Sequence, residues 1–413
     1  MINYNKKTLK DVDLKDKTVI VRVDFNVPIK DNKVIDDTRI VQALDTIKYL
    51  IEQNCKIVLL SHLSRIKSLE DISSKKKSLR PVYENLKTKL NNIKFLEENV
   101  GYDVVEAVKQ LKHKEVLLLE NTRYNDVDNQ GEVVKKESKN SPELGRFWAS
   151  LADVFVNDAF GTSHRAHASN VGIAANISQS CIGFLVQKEL EALSKLTNNP
   201  QRPFVVILGG AKVSDKLKVI ESLLKSADQI LIGGGMVNTF NKAKGYHIGK
   251  SLFEPEMLET AKKILAEDKD NKIILATDQM VTKASTITDI KTAPAGKCVF
   301  AKDEAENEDF EALDIGDESI KTFKSYIAKA KSIFWNGPLG VFENPNYERG
   351  SYEIAKAISE SDSYSVIGGG DSAAAANQFK LADKFSFVST GGGASLTFME
   401  QTVLPGIEAI QSK

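Results

Sequence analysis

The chain has 413 residues, 42% hydrophobic and 27% charged, with 56 basic side chains balanced by 56 acidic ones. That balance excludes a sequence-independent nucleic-acid binder, which needs a basic surplus, and no apolar run approaches the roughly 18 residues that span a bilayer. The opening stretch lacks a signal-peptide core, and Cys55, Cys181 and Cys298 are too few and too far apart for a disulfide framework, so a reducing cytoplasm is expected.

In chain order, short β-rich runs alternate with longer amphipathic segments. Strands are predicted at 18–23, 56–60, 115–119 and 153–156, then at 204–208, 229–232, 272–276, 332–335, 364–367 and 385–388. Helices are predicted at 38–52, 142–152, 185–196, 214–226, 346–360 and 371–381. Continuous apolar strands alternating with helices read as parallel sheets covered on both faces. Ten strands are many for one such sheet. The expected architecture is therefore α/β, with two Rossmann-like domains, each a parallel sheet flanked by helices, joined by a hinge helix at 185–196. Composition shifts across that helix: seven of nine arginines lie at or before Arg165, while 21 of 25 glycines follow residue 168.

In open parallel sheets, ligands bind just beyond the carboxyl ends of the strands. In the first half those ends read DFN (24–26), SHLSR (61–65), ENTR (120–123) and NDAFGTSHR (157–165). Arg39, His62, Arg65, Arg123, His164 and Arg165 are thus expected to converge on one rim. Guanidinium forks bind phosphate and carboxylate oxygens bidentately, which suits a small polyanion. In the second half the ends read GGAKVSDK (209–216), GGGM (233–236), NGPLGVFE (336–343), GGGDS (368–372) and TGGGAS (390–395). Glycine lets the backbone approach a ligand closely, and a following helix N-terminus adds unpaired N–H groups and partial positive charge. A nucleotide-phosphate cradle is the expected use. Asp371 is placed to cap a helix or to hold a metal. Lys212 and Lys216, four apart, are expected to share a helix face, either on phosphoryl oxygens or in water.

The phosphate-loop and dinucleotide fingerprints are absent, which disfavours a standard NTPase and a dehydrogenase. No nucleophile–base pairing stands out, and no Cys/His cluster has metal-ligand spacing. Phosphoryl transfer involving an oxygen that is already anionic needs positioning and charge neutralisation more than proton abstraction. A domain for a small polyanion and a domain for a nucleotide, closing to exclude water, fit a kinase whose acceptor is a carboxylate or phosphate.

The blocks RVDFNVP (22–28), SHL and Arg65 (61–65), ENTR (120–123), NDAFGTSHRAH (157–167), GGAKVSDK (209–216), GGGM (233–236), WNGPLGVFE (335–343), GGGDS (368–372) and STGGGASL (389–396) resemble the phosphoglycerate kinase family, in the family's order, from about residue 8 to 412. The resemblance implies a monomeric, bilobal, glycolytic enzyme exchanging phosphate between 1,3-bisphosphoglycerate with ADP and 3-phosphoglycerate with ATP, with Mg2+ on the nucleotide and no membrane or nucleic-acid partner. It implies that Asp24, Phe25, Asn26, Arg39, His62, Leu63, Ser64, Arg65, Arg123 and Arg165 surround the triose. It assigns Lys212, Lys216, Gly234, Gly235, Asn336, Glu343, Gly369, Gly370, Asp371 and Ser372 to the nucleotide, with Glu343 on the ribose and Asp371 on the metal. Arg39, Lys212, Lys216, Gly370 and Gly393 would stabilise the moving phosphoryl group. The implied domains are 1–168 for the triose, 169–198 as hinge, 199–395 for the nucleotide, and a tail, 396–413, returning to the first domain. The chain departs from the family's usual SHLGRP by carrying Ser64 and Ile66, and it reads ATDQM at 276–280. A different small-carboxylate kinase on the same plan, or a non-catalytic sensor of triose phosphate and nucleotide, are the alternatives.

Overall fold

The computed structural model describes residues 4–301 and 309–413, so residues 1–3 of the expected first domain and 302–308 of the expected nucleotide domain lie outside it. The chain divides into a first unit, residues 2–191 with 403–413, and a second unit, residues 192–402. No helix among the described residues is long and apolar enough to cross a membrane.

The first unit is built on a parallel sheet of six strands: β1 (Thr18–Val23), β2 (Lys56–Leu60), β3 (Ile93–Leu96), β4 (Val116–Leu119), β5 (Val154–Asp158) and β6 (Ser180–Ile182), in the order β3-β4-β2-β1-β5-β6. β1 sits centrally because Val19, Ile20, Val21 and Val23 are apolar on both faces and fully buried, as a strand covered by helices on both sides requires. Helix α1 (Thr38–Glu52) packs on it through Ile40, Ala43, Leu44, Ile47 and Leu50, the stripe its period of 3.6 lines up.

The second unit repeats the plan with β7 (Phe204–Leu208), β8 (Gln229–Ile232), β9 (Ile273–Leu275), β13 (Ser332–Asn336), β14 (Tyr364–Ile367) and β15 (Phe387–Val388), ordered β9-β8-β7-β13-β14-β15, all parallel. Between β9 and β13 the chain makes a separate antiparallel sheet, β11-β10-β12, from β10 (Asp278–Lys283), β11 (Lys297–Phe300) and β12 (Phe310–Ile315), followed by α4 (Asp317–Ile327). This sheet was not expected from sequence, and neither were β3 and β6. Helix α2 (Phe184–Thr197) contains the division between units, at Glu191 and Ala192.

Two local expectations change. The helix predicted from residue 214 begins at Leu217, as α3 (Leu217–Ser226), with a turn closed by the Lys216 N–H on the Val213 carbonyl at 2.9 Å. Lys212 and Lys216 therefore precede the helix and share no helical face. The segment that belongs to the first unit starts at Val403 rather than at residue 396. Residues 392–399 instead form α6 (Gly392–Met399) in the second unit, where the Met399 carbonyl accepts from the Ser222 hydroxyl at 3.4 Å. From 403 onward the tail is sewn into the first unit. Gly406 N–H donates to the Ser163 carbonyl at 2.9 Å, and the Gly406 carbonyl accepts from Asn157 at 2.8 Å. The tail thereby braces the loop that follows β5.

Candidate active site

In the first unit the predicted polar residues are linked by direct contacts. Arg39 lies in the first turn of α1, where a cation meets the positive end of the helix dipole. Its guanidinium is held there by the Asp24 carboxylate at 3.2 Å and the Asn26 carbonyl at 3.0 Å. The Asn26 side chain accepts from the Ser64 N–H at 2.9 Å, and the Ser64 carbonyl accepts from Arg123 at 2.6 Å. Ser64 has φ +58°, the left-handed region that favours glycine. Asn121 locks this turn: its side-chain oxygen accepts from the Leu63 and Arg123 N–H groups, both at 3.1 Å. Arg65, Arg123, Arg165 and His167 then line one cavity of about 580 Å³, with Lys67, Lys135 and Lys139 around it.

Behind this rim lies a charged layer. Arg22 is fully buried near the carboxyl end of β1 and donates to Ser169 at 2.7 Å. Ser169 in turn donates its N–H to the buried Glu137 carboxylate at 3.0 Å. The other end of Arg22 lies 3.2 Å from His62 Nδ1. Burial, and then the neighbouring Arg22 and Arg123, push the His62 ring well below its ordinary range, so it is neutral. A neutral ring whose Nδ1 accepts from Arg22 carries its proton on Nε2, a donor for an anionic ligand. Arg123 Nε, His164 Nδ1 and His167 Nδ1 are buried without a hydrogen-bond partner among the described residues, which is the condition of groups awaiting a ligand.

In the second unit, backbone does most of the shaping. A cavity of about 270 Å³ is lined by Lys212, Lys216, Asn336, the 369–372 turn and residues 210–211 and 337–338. Helix α5 (Gly370–Gln378) is capped by Gly369 at φ +122°, so Asp371 lies in the first helical turn and is not the cap. The Ser372 hydroxyl accepts from the Gly337 N–H at 2.6 Å, tying the end of β13 to α5. Lys216 is buried, and burial lowers its ammonium despite the opposing charges of Asp215 and Asp371. A second cavity, about 320 Å³, shares Gly210, Ala211, Pro338 and Asp371 with the first and reaches Gly234, Gly235 and Glu343. Gly234 has φ +65°, and a Cβ there would lie 2.7 Å from the Gly210 nitrogen. The Glu343 carboxylate pairs with Lys291 at 3.3 Å.

The structure thus gathers Asp24, Asn26, Arg39, His62, Ser64, Arg65, Arg123 and Arg165 into one contact chain or cavity. Phe25 and Leu63 turn their side chains into the first unit's core and leave only backbone for a ligand. All predicted nucleotide residues line the two joined cavities. Gly393 lines neither: it is exposed in the first turn of α6, next to Gly392, whose Cβ would come within 2.7 Å of Gly369. Sequence reasoning missed Arg22, Asn121, Glu137 and Ser169, and it missed Gln279, Glu311 and Asp314 from the antiparallel sheet. A charged residue inside the apolar run TVIVRV was the available signal for Arg22.

A family model described as phosphoglycerate kinase matches residues 9–402. The chain is similar to the phosphoglycerate kinase of Mycoplasma pneumoniae, 57% identical over 411 residues covering 98% of this chain and 99% of the relative. It is 54% identical to that of Mycoplasma genitalium over 415 residues, covering 100% and 99%. Its fold is similar to the solved structure of phosphoglycerate kinase from Coxiella burnetii, with a TM-score of 0.83 at 38% identity and 98% of each chain covered.

Proposed function

The chain belongs to the phosphoglycerate kinase family, and on that premise we propose that it moves a phosphoryl group reversibly between 1,3-bisphosphoglycerate and ADP, giving 3-phosphoglycerate and ATP in glycolysis. The observation that supports this reading best is a cation-lined cavity at the strand ends of one sheet and a backbone-walled one at the strand ends of the other. Family membership also weighs against a kinase for another small carboxylate. The retention of Lys212 and Lys216 beside the glycine cradle weighs against a sensor without activity.

In the forward direction a β-phosphate oxygen of ADP attacks the acyl phosphate. The bond from phosphorus to the C1 oxygen breaks as the new P–O bond forms, and the electron pair leaves on a carboxylate. The attacking oxygen is anionic before the transfer and the leaving oxygen is anionic after it, so no proton has to be removed. This matches a site whose best-placed histidine, His62, is a neutral donor and not a base. The guanidinium groups of Arg65, Arg123 and Arg165 hold the triose anions, and Asp24 with Asn26 aims Arg39 at the reacting end. On the nucleotide side Lys212, Lys216 and the free N–H groups that open α5 and α6, at Gly370 and Gly393, meet phosphoryl charge. Asp371, with Asp215 in the same cavity, fits Mg2+, which takes one or two carboxylates and completes its shell with phosphate oxygens and water. Asp371 would hold the ion, and when bound it neutralises phosphate charge. The two ligands must meet for direct transfer, so closure about the 184–197 helix is part of the proposal, as are a monomeric state and a cytoplasmic location. Purified chain supplied with 1,3-bisphosphoglycerate and MgADP should form ATP in a coupled assay; no ATP above the enzyme-free rate contradicts the assignment.

A further inference from the structure

The nucleotide reading leaves a carboxylate unexplained. The cavity beside Lys212, Lys216 and the α5 N-terminus takes phosphates, so the cavity joined to it through Gly210, Ala211, Pro338 and Asp371 takes the rest of the nucleotide. Glu343 stands in that second cavity, and Leu252, Ile290, Leu313 and Phe342 give it apolar walls suited to a flat base. Three further polar residues line it from β10 and β12: Gln279, Glu311 and Asp314. Two of them are occupied. Gln279 donates its amide to Asn238 at 2.7 Å. Asp314 accepts from the N–H groups of Ile315 at 2.9 Å and Gly350 at 2.7 Å.

Glu311 is different. Its side chain is half-buried and makes no hydrogen bond or ion pair with any described residue. Burial pushes its carboxyl upward, and no cation among the described residues offsets the loss of water. A half-desolvated acceptor among apolar walls gains most from a ligand that brings N–H donors to it. An ionised carboxylate only accepts, and it does so best from two parallel N–H groups. Among purine bases, guanine presents adjacent N1–H and N2–H donors, hypoxanthine presents N1–H alone, and adenine presents one amino group beside the N1 lone pair, which a carboxylate repels.

Resting on the kinase reading above, we propose that Glu311 is a specificity-determining residue that reads the base of the nucleotide and favours guanine over purine bases that present fewer donors. The inference separates bases by donor count, so it is tested with ADP, IDP and GDP as acceptors for 1,3-bisphosphoglycerate, in the intact chain and in Glu311→Gln and Glu311→Met. The kcat/KM for GDP should exceed that for IDP in the native chain. The GDP-to-ADP ratio of kcat/KM should fall by about tenfold or more in both variants, as expected for losing a hydrogen bond to a charged acceptor. Retention of the native denaturant-unfolding transition of the second unit, followed by circular dichroism, certifies that each variant is folded. If either variant fails that control, the native GDP-to-IDP ratio decides by itself. A ratio unmoved or raised in a folded variant, or equal use of GDP and IDP by the native chain, overturns the inference and leaves the kinase reading intact. A native chain that turns over none of the three nucleotides overturns both.

Discussion

The two units use the same parallel-sheet plan and fill its ligand-binding edge in opposite ways. Beyond β1, β2, β4 and β5 stand Asp24, His62, Arg123 and Arg165, side chains held in place by other side chains. Beyond β7, β8, β13 and β14 the next residue is glycine in every case, so that edge offers backbone. Under the proposed function the difference follows from the cargo. A triose carrying a phosphate and a carboxylate offers several anionic oxygens in a small volume, which forked cations match. A nucleotide is long, and its phosphates can be met by helix N-termini once nothing bulky stands between. One edge should therefore fail when a side chain is removed, and the other when a side chain is added.

The sharpest test of the first half of that contrast is Arg39→Ala. It removes the guanidinium that Asp24 and Asn26 hold and that the proposal places at the reacting end, and it should raise the barrier by about 3 kcal/mol, a loss of at least a hundredfold in kcat. Retained kcat with intact 3-phosphoglycerate binding would remove Arg39 from the reacting end. Gly234→Ala tests the second half. Its Cβ would press to 2.7 Å on the Gly210 nitrogen from a φ of +65°. It should cost the second unit about 2 kcal/mol of stability and weaken ADP binding, with 3-phosphoglycerate affinity retained. Equal weakening of both ligands would break the contrast.

Much of this edge chemistry was legible because it sits in loops directly after apolar strands, where a short polar motif stands out from its surroundings. Ser64 is an instructive departure: it replaces the glycine usual in the family, yet the turn keeps its left-handed φ of +58°. Asn26, Asn121 and Arg123 hold that turn from outside, and none of them neighbours it in sequence. The antiparallel sheet was invisible for another reason. DQMVTK is two-thirds polar and FEALDI carries Glu311 and Asp314, so neither reads as the continuous apolar run of a buried parallel strand. Glu137 and Ser169 were unreadable because their importance comes only from Arg22, more than a hundred residues away in the chain.

The units should also differ in their response to pH. In the first, burial and then Arg22, Arg123 and Arg165 hold His167 down to about 3 from 6.5. The unfolded chain takes that proton first, so the contribution is intact above 6.5 and lost as the pH falls towards 3. In the second, burial raises Asp314 from 3.8 to about 8. Its contribution is intact below 3.8 and lost as the pH rises towards 8. Asp158, raised by burial to about 6 in the first unit, shares the sign of Asp314, so single variants are needed to separate the groups. Comparing unfolding free energies of native chain and Asp314→Asn between pH 5 and 8, the variant should lack up to about 1.4 kcal/mol of decline per pH unit. Parallel profiles would place Asp314 outside this linkage. The smallest expected effect is that of Ser64→Gly, which relieves a left-handed serine and should stabilise the first unit by about 1 kcal/mol or less, read from its denaturant midpoint. A clear loss of stability would mean that the serine side chain itself supports the turn.

Hydrogen–deuterium exchange of the intact chain, with each ligand added alone, examines the division of labour most directly. The account predicts that 3-phosphoglycerate slows exchange at residues 24–26, 61–65 and 120–123, and that MgADP slows it at 209–212, 233–235 and 368–372. Protection of the glycine turns by 3-phosphoglycerate, or of the arginine-bearing loops by MgADP alone, would contradict it.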